Sequence, residues 1–437
     1  MSQGIHRNIP LFIAFRVLFN ARFYYPVLGV LFIDLGLSLA EYAILNAIWA
    51  AAIILLEIPS GALADAIGRK TMVVLAACLM VLEMGLLIIA PIGGGAVLFW
   101  ILVFNRLVGG AAEASASGAD EALAYDSLEE GDRDEAWRKV LARLMQWQSA
   151  GFFAAMLLGA ACYDRELLAE TCRLVGFSFP DWPTTKWPIY LTAVCSVTCL
   201  FIACMMREPA NCTKRGLSMS AAVGNIARGA LAIWHNGKMF RLFLALLLCD
   251  SFVRLFLTFS SNYVRVIDLP AWVNGPMGAT MALLGFLAAW VGRSMTGRHK
   301  VRTNFALLML MILFGLLAVS LAIPTWGLLA VVPLGLSMSL VGFFGSYYLN
   351  KWAENDVRAT ILSFRGVALN LGYGAIGLAF SALTARIATA GAGPNEVFRE
   401  AIGWLPSSFV VAVLIGMGVA GLHHRFVAAT PRAGGAD

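Results

Sequence analysis

Apolar residues in this chain gather into long runs, and polar residues are confined to the gaps between them. Twelve such runs can be drawn, at 10–33, 41–62, 71–92, 96–118, 140–162, 187–206, 239–260, 273–293, 302–323, 326–349, 359–381 and 404–424. Each is close to the roughly 20 apolar residues that a helix needs to cross a hydrocarbon core of about 30 Å. The pattern predicts an all-α integral membrane protein with twelve transmembrane helices: six, a polar break, and six more. The first run is too long for a signal peptide, contains Arg16 and Arg22, and has no small-residue cleavage site before the second. It is expected to stay as the first helix.

The polar break has its own pattern. Glu208-Pro209 ends the sixth run, and apolar residues at helical spacing from Ala221 to Trp234 predict a short helix lying on the membrane surface. The expected organisation is an N-terminal six-helix bundle over 1–206, a cytoplasmic linker over 207–238 and a C-terminal six-helix bundle over 239–437.

Composition supports the bilayer reading. Only 13% of the 437 residues are charged and 60% are hydrophobic, against about 25% charged in a soluble domain. With the amino terminus inside, twenty Lys and Arg fall on the cytoplasmic side, counting those at helix ends, and six on the other. Cytoplasmic loops carry the basic excess, so both termini are expected in the cytoplasm. The net charge of +6 follows from this bias; it implies contact with anionic membrane lipids and no nucleic-acid partner.

The eight cysteines show no metal-ligand spacing, and Cys78, Cys195, Cys199, Cys204 and Cys249 lie in apolar runs as packing residues. Cys162 and Cys172 flank the start of a long outer loop, where a disulfide stays open if that face meets an oxidising compartment. The five histidines, at 6, 235, 299, 423 and 424, have no acids at ligand spacing, so neither a metal site nor an enzyme is expected. There is no G-x-x-x-x-G-K-[ST] loop to bind nucleotide, which leaves ion gradients as the energy source and no cofactor.

Between the second and third runs stands Gly61-Ala-Leu-Ala-Asp65-Ala-Ile-Gly68-Arg69-Lys70. This spacing, G-x-x-x-D-x-x-G-R-K, resembles the signature loop of the major facilitator superfamily of secondary transporters. Gly61 would let the second helix approach a neighbour, Gly68 would permit a turn with positive φ, and Asp65 would face the positive end of another helix dipole. The resemblance implies that this dipole belongs to the eleventh helix near Thr360, and that Arg69 or Lys70 pairs with Asp126 at the inner end of the fourth. A degraded second copy aligns Gly297, Arg298 and His299 with Gly68, Arg69 and Lys70, with Ser294 in place of the aspartate and Trp290 in place of the first glycine. Asn355-Asp-Val-Arg358 similarly echoes Arg138-Lys139-Val140.

The fourth run carries Arg106, Glu113 and Asp120 seven residues apart, which keeps them within about 40° on one helix face. Ionisable groups at that depth normally face a protein interior or a wet cavity. Arg106-Leu-Val-Gly109-Gly110 resembles the family's arginine motif, associated with proton coupling, although Gly109 stands where that motif has glutamine. Two readings stay open: proton coupling through Arg106, Glu113 and Asp120, or a permanent Arg106–Glu113 pair that only ties helices together. Arg16, Asn20 and Arg22 in the first run, Asp250 and Arg254 in the seventh, and Arg365 in the eleventh are candidate substrate contacts, with Gln146 a further polar group in the fifth. Glu83, in the middle of the third run, has no assigned role, and Glu57 is expected to support the loop. Trp100, Trp187 and Trp326 are interfacial anchors.

The expected function is proton-coupled secondary transport of a small charged or zwitterionic organic solute by alternating access, with mild preference for an anion because five arginines could converge. The resemblance implies a monomer in the cytoplasmic (inner) membrane whose partners are the solute, protons or Na⁺, and lipids. The alternatives are efflux of amphipathic drugs or metabolites, for which the fifth helix lacks the family's Gly-Pro signature, and a non-transporting sensor, which would carry an added soluble domain.

Overall fold

The computed structural model describes residues 7–128, 133–208, 219–353, 358–388 and 392–429. Among them are helices and turns and no strand. An open sheet edge cannot be satisfied in hydrocarbon, whereas a helix satisfies its backbone polar groups internally. In chain order the α-helices are α1 Asn8–Asn20, α2 Leu28–Asp34, α3 Leu39–Ile67, α4 Arg69–Ile89, α5 Ala96–Ala116, α6 Ala119–Asp126, α7 Arg133–Tyr163, α8 Arg165–Leu174 and α9 Trp187–Met205. Then follow α10 Met219–His235, α11 Gly237–Thr258, α12 Ser260–Val266, α13 Asn274–Arg298, α14 Val301–Ser320, α15 Val331–Trp352, α16 Arg358–Ile387, α17 Pro394–Gly403 and α18 Leu405–Ala429.

Among the described residues, ten spans are long and apolar enough to cross a membrane, or eleven if α11 and α12, bent by 54°, count as one. The remaining run, the fifth at 140–162, lies within the 31-residue α7. Its first half carries Arg138, Lys139, Arg143 and Gln146, which dilutes the hydropathy below that of its neighbours. A helix covers the segment expected to be helical at 221–234, as α10.

Asn8 Nδ2 donates to the Arg207 carbonyl at 2.8 Å, and the His423 ring bonds the Trp234 carbonyl at 2.7 Å. The ends of the first, sixth and last spans therefore gather beside the linker helix, on what we call the linker face. Caps order the opposite, far face. Ser38 and Glu41 form a reciprocal capping box that starts α3, and Asp164 caps α8 through Leu167 N–H at 3.0 Å. On the linker face Asn236 caps α11.

The main helix pairs joining the two halves of the chain are α3 with α16 and α7 with α13. Small residues set their spacing: a Cβ on Gly275 would lie 2.9 Å from the Met156 carbonyl oxygen. Cys162 and Cys172 are both free thiols, so the disulfide left open above is not formed. Trp100 and Trp326 are exposed, as interfacial anchors require.

The first span is not a continuous helix. It unwinds between Asn20 and Tyr25, and the liberated Phe23 N–H is taken by Thr192 Oγ1 at 3.0 Å. The Phe23 carbonyl presses on α7, where a Cβ on Gly159 would stand 1.8 Å from its oxygen. Gly159→Ala should therefore force the break to move and cost about 1–3 kcal/mol, read as a lower Tm of the detergent-purified protein. Gly85→Ala, where no atom lies within 4 Å of the added carbon, should leave Tm unchanged or raise it. Equal effects at the two sites would refute the close approach.

Candidate functional site

The unwound stretch puts Arg22 inside the protein, 2% exposed. Its Nη1 donates to Glu83 at 2.5 Å and its Nη2 to Glu113 at 3.1 Å. Tyr24 OH donates to the other Glu83 oxygen at 3.1 Å and accepts from Arg22 Nη1 at 3.2 Å. The guanidinium lies 5.4 Å from the Phe19 ring centre and 5.8 Å from that of Tyr25. Two carboxylates and a phenol thus surround one buried cation, which lowers the cost of burying its charge.

Glu83, which the sequence left without a role, is central to this cluster. Its room comes from Gly109, whose missing Cβ would stand 2.8 Å from a Glu83 carboxylate oxygen. The glycine that departs from the family's arginine motif is therefore the space the carboxylate occupies. Asn105 Nδ2, bonded to the Glu83 carbonyl at 2.7 Å, fixes α5 against α4.

Arg106 does not pair with Glu113, so the permanent Arg106–Glu113 tie is not made. Its guanidinium lies 4.7 Å from the Phe32 ring centre, and Nε and Nη2 are buried without a hydrogen-bond partner. Asp120 is not on the Arg106–Glu113 ladder either: α5 stops at Ala116, and Gly118 in the left-handed region (φ 76°) starts the separate α6. Asp120 meets Arg16 at 3.1 Å, and Arg16 also bonds Glu121 at 3.1 Å. Asn20 donates back to the Arg16 carbonyl at 2.8 Å. Arg16 and Asn20 are thereby engaged within the first half and do not line the cavity described next.

In the second half the seventh span breaks at Phe259. Arg254, one turn before the break, bonds Asp250 at 2.8 Å and Asn370 at 2.9 Å, with its guanidinium 5.5 Å from the Tyr373 ring centre. Between the halves lies a cavity of about 370 Å³ lined by Tyr25, Asn46, Trp49, Arg106, Arg254 and Tyr373, with Thr258, Ser260 and Ser261 at the second break. Arg365 lies against Gly345 and is not part of that lining.

The hydrogen bonds and ion pairs between described residues of the two halves all sit toward the far face. Asp34 takes a bidentate pair from Arg265, both bonds 2.7 Å, and also accepts from Tyr163. Val30 N–H donates to Ser261 at 3.2 Å, Ser381 to the Ala40 carbonyl at 3.0 Å, and Trp272 N–H to Asp164 at 3.0 Å. Gly29 admits Asn262, whose Oδ1 would stand 2.1 Å from an added Cβ. This face is closed.

The signature loop lies on the linker face. Gly68 has φ 98°, and Arg69 pairs with Asp126 and donates to the Ala122 carbonyl at 3.0 Å. Glu208, at the end of the sixth span, accepts from Arg69 N–H at 3.0 Å and Lys70 N–H at 2.7 Å, capping α4 from outside its own sequence. Gly61 makes no close approach: nothing lies within 4 Å of an added Cβ. The side chains of Asp65 and Thr360, and residues 354–357, lie outside the described residues. Gly297 does not make the turn, because α13 runs on to Arg298 and the chain turns at His299 and Lys300.

The family model for the Major Facilitator Superfamily matches residues 11–377. The chain belongs to this superfamily. It is thus a multi-pass membrane protein of a family of secondary transporters. Solved structures similar in fold include the nucleoside transporter NupG, at 14% identity and TM-score 0.73, covering 95% of this chain and 98% of that one. A bacterial homolog of the human lysosomal transporter Spinster, inward-facing and unoccupied, gives 15% identity and TM-score 0.65 over 98% of both chains. A D-xylose–proton symporter gives 12% and 0.64 over 93% and 96%. No curated protein matches the chain.

In this transporter fold the Asp34–Arg265 pair is the charged part of the far-face closure. Asp34→Asn should raise labelling of an Asn46→Cys probe by a membrane-impermeant maleimide from the far side by about tenfold, the scale of one charge-assisted hydrogen bond. The double exchange Asp34→Arg with Arg265→Asp should restore the low labelling. Unchanged labelling in Asp34→Asn would remove the pair from the closure.

Proposed function

We propose that the protein is a proton-coupled secondary transporter of a small charged or zwitterionic organic solute in the cytoplasmic membrane. Residues 1–206 and 239–437 would act as two bundles that rock about the central cavity, joined by the linker 207–238. The observation that carries this reading is the Arg22 cluster beside the cavity. Glu83 is enclosed, its side chain 4% exposed, while that of Glu113 is 31% exposed and shares the same guanidinium.

This difference gives the carboxylates separate roles. Glu83 holds Arg22 in every state, and Glu113, the more exposed of the two, exchanges its proton with water. Protonation of Glu113 removes one of the two negative charges facing Arg22, which changes the potential at the solute site. Proton and solute occupancy are then linked by electrostatics, and the linkage is reciprocal. Arg22 takes the part the sequence assigned to Arg106, and Asp120 serves as the Arg16 partner that anchors α6.

The far-face closure corresponds to one end of the alternating cycle. On the linker face, Arg69, Asp126 and Glu208 tie the signature loop within the first half, ready to meet the eleventh helix when that face closes. The membrane orientation follows the basic bias, with the linker face cytoplasmic.

Glu113→Gln should make solute exchange in proteoliposomes independent of pH between about 5 and 8, while counterflow of solute persists. Glu83→Gln, which removes the enclosed partner of Arg22, should lower Tm instead. Retained pH dependence in Glu113→Gln would sink the proton-carrier role.

A further inference from the structure

The two arginines of the cavity differ in what they still have to offer. Arg254 is engaged through both Nη groups: Nη2 bonds the Asp250 carboxylate and Nη1 bonds Asn370 Oδ1, which leaves only Nε buried without a partner, and Asp250 is 2% exposed behind it. Arg106 is 5% exposed, makes no hydrogen bond or ion pair with a described residue, and keeps buried Nε and Nη2 without partners. The two carboxylates of the Arg22 cluster, Glu83 and Glu113, are hydrogen-bonded to Arg22.

A buried guanidinium with unspent donors is costly to leave so. The stacked Phe32 ring holds its plane without using those donors. A carboxylate meets a guanidinium with two parallel N–H···O bonds, which suits such a fork. Apart from the two arginines, the cavity wall is aromatic at Tyr25, Trp49 and Tyr373, aliphatic at Leu28 and Leu257, and neutral and polar at Asn46, Thr258, Ser260 and Ser261.

We propose that the solute is an organic monoanion, its single carboxylate held by Arg106, and that Asp250 sets this limit of one charge by neutralising Arg254. A second acid on the solute would meet an arginine already paired. A positive group would meet Arg106 and Arg254 with no free carboxylate. A neutral body would leave Arg106 unsatisfied. The aromatic and hydroxyl-bearing walls accept the uncharged remainder of the molecule. This assignment rests on the proposed transport reading only in taking the cavity as the solute site, and it is tested by binding alone.

The experiment is equilibrium binding to the detergent-purified full chain at pH 7, using two matched ladders of zero, one and two acids. One is sorbitol, gluconate and glucarate; the other is 2-phenylethanol, phenylacetate and phenylmalonate. In at least one ladder the one-acid member should bind about tenfold or more tighter than the other two, the scale of one charge-assisted pair. Arg106→Gln should abolish that preference, with Arg106→Lys keeping part of it. Asp250→Asn, which frees Arg254, should improve binding of the two-acid member by a similar factor. Equal binding along both ladders, tightest binding of a neutral or two-acid member to the wild type, or no binding of any member overturns the assignment. The ladder on the wild-type protein needs no variant to fold, so it decides even where a substitution is not tolerated. Solute binding without proton movement in vesicles would count against the coupling reading and leave the monoanion assignment standing.

Discussion

The burial of Arg22 is the constraint around which the first half of the transporter is arranged. A guanidinium inside a bilayer-spanning bundle is costly unless its charge is met by protein groups, and for Arg22 it is met. Meeting it requires a carboxylate on α4 and another on α5, a phenol two residues away in the chain, and a break in the first helix that lets Arg22 turn inward. Each requirement imposes another. The carboxylate of Glu83 needs the space at Gly109, and the freed carbonyl of Phe23 needs the space at Gly159. The freed N–H needs the hydroxyl of Thr192. Non-helical backbone at membrane depth survives only where protein groups satisfy it, so a single charged residue accounts for several otherwise unrelated choices in the chain.

The same break connects chemistry to gating. It separates α1 from the short α2, which carries Gly29, Val30 and Asp34; the break at Phe259 likewise separates α11 from the short α12, which carries Ser261, Asn262 and Arg265. These two short helices pack on each other and form much of the far-face closure. Arg22 stands within the first break and Arg254 one turn before the second. A change in charge at either arginine therefore acts on the root of a helix whose other end is latched across the halves. No long pathway is needed, because the charged site and the latch share two rigid pieces of backbone.

The order and approximate limits of the helices were legible because a membrane helix is specified by local apolarity over roughly 20 residues. The turn at Gly68 and the pairing of Arg69 with Asp126 were legible because a short motif carries them. The centre of the site was not. Seven-residue spacing placed Arg106, Glu113 and Asp120 on one face, but the positive φ of Gly118 cuts that face, and the partner of Glu113 comes from another helix. Glu83 was visible as an oddity, and the signal that could have placed it was the glycine at 109 opposite a buried acid. The Asp34–Arg265 pair spans 231 residues, a distance over which neither periodicity nor motif carries information. Glu208 was read as the end of a helix, while its carboxylate caps the start of another. In each case the missing element was a tertiary partner, which a single sequence does not display.

The fold relatives carry nucleosides, sugars or other cargo on one architecture at 12 to 15% identity, so the architecture does not select the solute. Selection rests on which donors in the cavity are left unspent. Here the aromatic stack on Phe32 is decisive, because it holds a guanidinium plane through its π face and leaves the edge N–H groups unused. A carboxylate at the same position would have held Arg106 equally well and consumed the very groups a solute must reach. Arg254 shows that alternative within the same cavity, held by Asp250 and offering little. The contrast between a stacked and a salt-bridged arginine is thus what, on the monoanion proposal, gives a generic central cavity a sign and a stoichiometry of charge.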